Sequence, residues 1–258
     1  MYLSWNQTKV ADFSDDIITP LYNQGYLFTR VGKGMMDQTC SLRIDLNKFT
    51  LSSENRRVLR KTENIMLKNF SLPYTNYHWS IGKMGKDFYD TKFGDGTFTA
   101  NKIKELMTEP EKSNFNAILQ YVIARSEATR QPPRQGQSGE IATLDASLTR
   151  NDNGPIGYAI CYQNSEILHY CYPFYQLTTN NKQLKIPNLG LGMMVRAVIY
   201  AKKQGKKYIY LGSFQRSTDT YKLQFAGLEW WDGKEWKTNL EKLKKQLSSF
   251  VPTQNDSW

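Results

Sequence analysis

Four cations crowd the run from Ser52 to Lys61, SSENRRVLRK. At about 100° per residue Arg56, Arg57, Arg60 and Lys61 fall on one face of a helix, with Val58, Leu59, Thr62, Ile65 and Met66 on the other. Closely spaced Arg and Lys each release counterions from a phosphate backbone, so this face suits a nucleic acid; a solvated helix surface fits the same spacing. Gly190 and Gly192 stand where an extended segment turns into a helix. The N–H groups of a first helical turn can hold an anionic or carbonyl oxygen there. Between Pro73 and Gly96, Tyr74, Tyr77, His78, Trp79, Phe88, Tyr89 and Phe93 alternate with lysines and glycines. That composition serves either base stacking or a loop-rich core packed on a sheet.

The other reactive side chains mainly exclude. Cys40, Cys161 and Cys171 show no CxxC spacing, and an odd number makes no paired framework, which points to a reducing cytoplasm. With His78 and His169 as the two histidines, no zinc-ligand spacing can be assembled, so neither a metal nor a cofactor is expected. No nucleophilic triad is evident. The 258 residues carry 34 Lys and Arg against 24 Asp and Glu, a net charge of +10 and an isoelectric point near 9.3. This is a globular composition with a basic bias that favours a polyanionic partner. No apolar run is long enough to span a bilayer, and the N-terminus lacks a charged start followed by an apolar stretch, so a soluble protein without a membrane partner is expected. The oligomeric state stays open.

These groups need elements to hold them. Ser14, Asp15 and Asp16 open a short helix that Gly25 ends; Tyr26 to Val31 reads as a strand; Leu42, Ile44 and Leu46 alternate with Arg43, Asp45 and Asn47 as a half-buried one. A helix is expected around Asn101 to Met107. Residues 124–153 have almost no aromatics, a Pro-Pro and little periodicity, and read as a flexible insertion; their wording is similar to translated interspersed repeats, which implies an acquired loop. Gly157 to Tyr162 and Ile167 to Tyr172 form a hairpin, with Asn180, Asn181 and Pro187 in the loop that follows. Then come a helix through Leu191, Met194, Val195, Val198 and Ala201, a stop at Gly205 and a strand from Tyr208 to Leu211. Thr238 and Glu241 read as a capping box for a closing helix with Leu240, Leu243 and Leu247.

Several ordered strings carry a family resemblance: Tyr208-Ile-Tyr-Leu-Gly212, Tyr221-Lys222, Phe225, Leu228-Glu229, Gly233 and Trp236, preceded by the basic helix, by Gly25-Tyr26 to Arg30, and by Leu189-Gly190. In this order they resemble the aminoacyl-tRNA-protein transferases, the arginyl and leucyl transferases of the N-degron pathway. The glycine turn also resembles that of the Gcn5-related acyltransferase (GNAT) superfamily, although Pro187 stands where Gln or Arg is usual. The resemblance implies an α/β fold with a GNAT-like mixed sheet flanked by helices, an N-terminal part over 1–72 with the basic helix, and a catalytic part over 73–258. Two family features are missing. There is no N-terminal cysteine cluster, and Tyr172 stands where an acid is expected.

The implied reaction is attack of a protein N-terminal amine on the ester joining an amino acid to tRNA, arginine being favoured and leucine the alternative. The amine's pKa of about 8 lets it deprotonate, and no enzyme nucleophile is required. On this reading Asp219, Glu229 or His169 is the general base, and backbone N–H groups after Gly190 meet the oxyanion. Lys222 and Arg216 are cations for an acidic acceptor N-terminus (Asp or Glu) or for the tRNA end, beside Tyr221 and Tyr172. Aminoacyl-tRNA would lie along Arg56, Arg57, Arg60 and Lys61. The rival readings are a small-molecule N-acetyltransferase and a non-catalytic tRNA- or degron-binding module.

Overall fold

A computed structural model describes residues 4–124, 154–177 and 186–249. The expected insertion therefore lies outside the described residues except for its first residue, Ala124, and so do Asn180 and Asn181. A mixed eight-stranded sheet forms the frame, in the order β11(Trp236–Lys237), β10(Leu228–Trp231), β4(Ser41–Asp45), β9(Tyr208–Ser213), β8(Ile167–Tyr175), β7(Gly157–Gln163), β6(Ala117–Ile123), β5(Ile65–Ser71). All neighbours are antiparallel except β8 and β9, which run parallel and are joined by the crossover helix α5(Leu189–Lys203). A small sheet, β1(Ser4–Lys9), β3(Met35–Thr39) and β2(Tyr26–Phe28), leads into β4. Strands from 1–72 and 73–258 interleave, because β4 sits between β10 and β9 while β5 closes the far edge.

Each face of the sheet is covered by helices, so there are two apolar cores. On one face α5, α2(Ser53–Lys61) and Leu243 of α6(Leu240–Ser249) pack on Leu42, Leu119, Ala159, Leu168, Ile209 and Trp230. On the other, α1(Asp15–Asn23), α3(Trp79–Phe93) and α4(Ala100–Thr108) pack on Ile118, Tyr158, Ile160, Phe174 and Tyr210.

Several sequence expectations change. The basic helix ends at Lys61, and Ile65 and Met66 belong to β5. The reason is tertiary: Arg196 of α5 donates to the Thr62 carbonyl, the Thr62 hydroxyl (2.7 Å) and the Ile65 carbonyl (2.8 Å), capping α2 from outside. The strand at Tyr26 stops at Phe28. β4 is buried on both faces, not one, since helices cover both. The aromatic stretch after Pro73 contains the fifteen-residue helix α3, whose Gly82 and Gly85 hid it; a Cβ on Gly85 would come within 2.4 Å of Ile103. Tyr74, Phe88 and Tyr89 are core residues, which removes them as base-stacking platforms. Asn239 rather than Thr238 caps α6, its Oδ1 accepting from the Lys242 N–H at 3.1 Å.

Arg43 is the charged member of β4 that the alternation placed toward solvent. It is 7% exposed and pairs with Glu229 on β10 at 2.8 Å. Tyr208 and Trp236 stack on its guanidinium, each centroid 3.9 Å away. Replacing Arg43 by Met leaves the buried Glu229 carboxylate with only the exposed Lys48 as a partner, and we expect a loss of about 3 kcal/mol in denaturant unfolding. The double change Arg43→Met with Glu229→Leu should recover most of that loss; an equal loss in both variants would contradict the pairing.

Candidate active site

β8 and β9 pair only through Ile167–Tyr208, Leu168–Ile209 and His169–Tyr210. Beyond that point β8 stays with β7 as far as Tyr175, whereas β9 follows β4 to Ser213. An irregularity on each side drives the parting. Cys171 is an extra residue in β8, since Ile160 faces Tyr172 while Cys161 faces Tyr170. β9 carries one against Ser41–Arg43, where Gly212 takes the left-handed φ of 80°. The result is a wedge at the carboxyl ends of two parallel strands, next to the N-terminus of their crossover helix, the place where open α/β sheets bind ligands.

The 3-10 segment Ser217–Gln224 closes the floor of the wedge. Its Lys222 is 9% exposed, donating to the Ser213 carbonyl at 2.9 Å and lying 3.4 Å from Asp219 Oδ1. Burial lowers the Lys222 pKa, against the pull of Asp219. Asp219 Oδ2 accepts the N–H groups of Gln215 (3.0 Å) and Arg216 (3.1 Å). Both Asp219 oxygens thus hold the turn and its lysine, which replaces the expected general-base role with a positioning one. Glu229 is likewise no free base: it binds Arg43 and, at 3.2 Å, Lys48.

His169 is engaged as well. Its Nδ1 is 2.9 Å from the Tyr22 hydroxyl, and burial, with the charge of Lys222 adding, pushes its pKa down to about 3. Gly190 and Gly192 lie inside α5 and make no turn; Asn188, at φ 62°, supplies the left-handed residue before the helix. The two glycines serve contact instead. A Cβ on Gly190 would sit 2.8 Å from the Tyr175 ring, and one on Gly192 2.8 Å from the Thr62 side chain. The Gly190 N–H remains in the first turn of α5 beside the wedge. Tyr221 is 45% exposed at the mouth, while Tyr172 packs edge-on against Phe98 and Phe115, both at 5.4 Å.

Around the mouth, Arg216 lies over the Phe93 ring at 5.0 Å and Arg30 over Phe98 at 4.5 Å. Arg30 appeared in the sequence reading only within a motif; its place became visible once α3 was formed. Tyr170 was missed as well. Its hydroxyl is buried beside that of Tyr121, which donates to the Met193 carbonyl at 3.0 Å. On the outer face Arg56, Arg60 and Lys61 are exposed, but Arg57 is held by Glu54, with Nε to Oε2 at 2.6 Å. Cys161 and Cys171 have thiols pushed well up by burial, and Cys40 is pushed up to about 12. Among the described residues no group of three His, Cys, Asp or Glu could hold a metal, and no helix is long and apolar enough to cross a membrane. Two surface hollows of about 520 and 300 Å³ lie at the other end of the sheet, around Asn116, Gln163 and Asn164. They contain none of the wedge's charged residues.

No family model matches the chain. A curated relative, the aspartate/glutamate leucyltransferase of Saccharophagus degradans, is 22% identical over 229 residues, covering 84% of this chain and 83% of the relative. Among solved structures, FemX aligns over 95% of this chain and 72% of its own at 9% identity and a TM-score of 0.44. L-PGS from Bacillus licheniformis aligns over 93% and 71% at 10% identity and 0.40.

The neutral state of His169 has a measurable consequence. Its native pKa lies below the unfolded value of about 6.5, so the unfolded chain binds an extra proton as pH falls, and stability drops through the window from about 6.5 to 3. Between pH 6.5 and 4.5 this group alone should remove about 2 kcal/mol. His169→Gln, which keeps an acceptor for Tyr22, should unfold with a correspondingly smaller acid dependence; identical pH profiles would refute the assignment.

Proposed function

We propose that the chain is an aminoacyl-tRNA-dependent transferase that moves an amino acid from tRNA to the N-terminal amine of an acceptor protein with an acidic first residue. The observation that carries this reading is the wedge between β8 and β9, bordered on one side by α5 and the cation-bearing α2 and on the other by Arg216 over Phe93 of α3 and Arg30 over Phe98. α2 meets the wedge at both ends: Thr62 packs on Gly192 of α5, and Asn55 Nδ2 is 3.5 Å from Gln224 Oε1. A tRNA backbone on Arg56, Arg60 and Lys61 would therefore run past the site toward its mouth. The likeness to a leucyltransferase over most of both chains supports the same reading. So does the GNAT-like crossover of parallel strands. Within it, the tRNA-facing helix belongs to 1–72 and the wedge mostly to 73–258.

Leucine fits the mouth better than the arginine favoured from sequence. Arg216 and Arg30 border it, and a substrate guanidinium would meet like charge. In this mechanism the amine attacks the ester carbonyl, the C–N bond forms as the C–O bond to the tRNA ribose breaks, and the amine's proton balances the departing hydroxyl. The N–H groups of the first turn of α5 and the Lys222 ammonium face the developing oxyanion. With Asp219 and Glu229 engaged and His169 neutral, the free amine arises from its own equilibrium with water. The N-acetyltransferase reading loses its phosphate-cradling turn, since Gly190 and Gly192 are helical.

Three tests follow from this geometry. Labelled leucyl-tRNA and arginyl-tRNA, each incubated with a peptide beginning with Asp, should give transfer from the leucyl form; binding of tRNA with transfer from neither would favour the non-catalytic module. Transfer should rise with pH along the acceptor amine, with a midpoint of about 8. Replacing Arg56, Arg60 and Lys61 by Ala should lower the slope of log affinity against log salt by about 2–3. An unchanged slope would return those residues to an ordinary solvated face.

A further inference from the structure

Cations in this molecule are commonly paired with a carboxylate. Arg43 has Glu229, Arg57 has Glu54 and Lys222 has Asp219. Arg30 and Arg216 break the pattern. Among the described residues neither guanidinium has a carboxylate or a hydrogen-bond acceptor; each lies instead on an aromatic ring. The rings are continuous: Phe93 is 5.6 Å from Tyr89, and Tyr89 is 4.9 Å from Phe98. The row is thus capped at both ends by a guanidinium. It stands at the wedge: the Tyr89 hydroxyl donates to the Pro173 carbonyl of β8 at 3.1 Å, and Arg216 immediately precedes the 3-10 segment that carries Lys222. A guanidinium stacked by its face keeps its edge, which carries the N–H fork, available to a planar anion.

We infer that Arg30 and Arg216 recognise the side-chain carboxylate of the acceptor's first residue, a role that the buried and already paired Lys222 cannot take. This rests on the transferase reading above. Two features favour a carboxylate over a tRNA phosphate. The exposed phosphate-type cations sit on α2, in the layer on the α5 face, whereas Arg30 and Arg216 lie against α3 and Phe98 in the opposite layer. An amine and an ester that must meet at one carbonyl carbon approach it from different sides, so the two layers divide the two substrates. A forked donor also suits a carboxylate bidentately, with discrimination against its neutral isostere.

The test is direct binding of fluorescent peptides that begin with Asp or with Asn, measured with tRNA binding in parallel on the full chain. The wild-type protein should prefer the Asp peptide by at least about tenfold, and Arg30→Ala or Arg216→Ala should each weaken it by about 10- to 100-fold while leaving the Asn peptide and tRNA unchanged. Arg30→Lys and Arg216→Lys keep the charge and the fold while losing the fork, and should lie between. Equal affinity of the wild type for both peptides, or loss of tRNA binding with peptide binding intact, would overturn the inference. Asp preference that depends on the arginines, with transfer from neither leucyl- nor arginyl-tRNA, would sink the transferase reading and leave this one standing. Transfer to Asp and Asn peptides alike would do the reverse.

Discussion

A guanidinium buried on a central strand imposes its needs on everything around it. Arg43 cannot lose its charge, so the fold must supply a counter-ion, acceptors and polarizable surfaces inside the protein. It draws Glu229 from β10, the Asn23 side chain from the end of α1 at 3.1 Å, and the rings of Tyr208 and Trp236. Trp236 in turn donates from its indole N–H to the Asn23 carbonyl at 2.7 Å. The first helix, the central strands and the last hairpin are thereby tied at one point. Lysine would not satisfy this site, because its ammonium lacks the planar faces on which two rings stack.

The same tie reaches the site through aromatic contacts. Tyr210 lies beside Arg43 and meets Tyr22 edge-on at 4.9 Å, and the Tyr22 hydroxyl holds His169 on the last paired residue of β8. His169 is therefore a fixed, neutral hinge post where the parallel strands part. Past it, Cys171 and Gly212 bend the strands away from each other, and the 3-10 segment fills the floor. The geometry of the wedge depends on what stops the strands from pairing as much as on the side chains between them.

Charge is distributed by the same logic. A chain of net charge +10 carries paired cations where they hold turns and strands together, as with Lys222 on Asp219 or Arg57 on Glu54. Among the described residues, Arg56, Arg60 and Lys61 on α2 and the two arginines at the ends of the aromatic row have no carboxylate partner. A paired cation contributes locally and is satisfied, whereas an unpaired one keeps its field for a ligand. On the proposed reading, this distinction assigns the anion-reading role to the two arginines rather than to Lys222.

The sequence by itself determined whatever depends on near neighbours: the acidic first turn of α1, the β7–β8 hairpin, α5 with its Gly205 stop, β9, and the cation face of α2. It also carried the resemblance that pointed to tRNA and to the YLG and YK strings around the wedge. It did not determine where α2 ends, since Arg196 caps that helix from 131 to 134 residues away. Nor did it determine that Gly190 and Gly192 are helical contact points, that α3 exists beneath its glycines, or that Asp219, Glu229 and His169 are engaged. Whether a carboxylate is a base or a counter-ion, and whether an imidazole is charged, depends on burial and on partners brought from distant positions. Those terms arise only when the two helical layers close on the sheet.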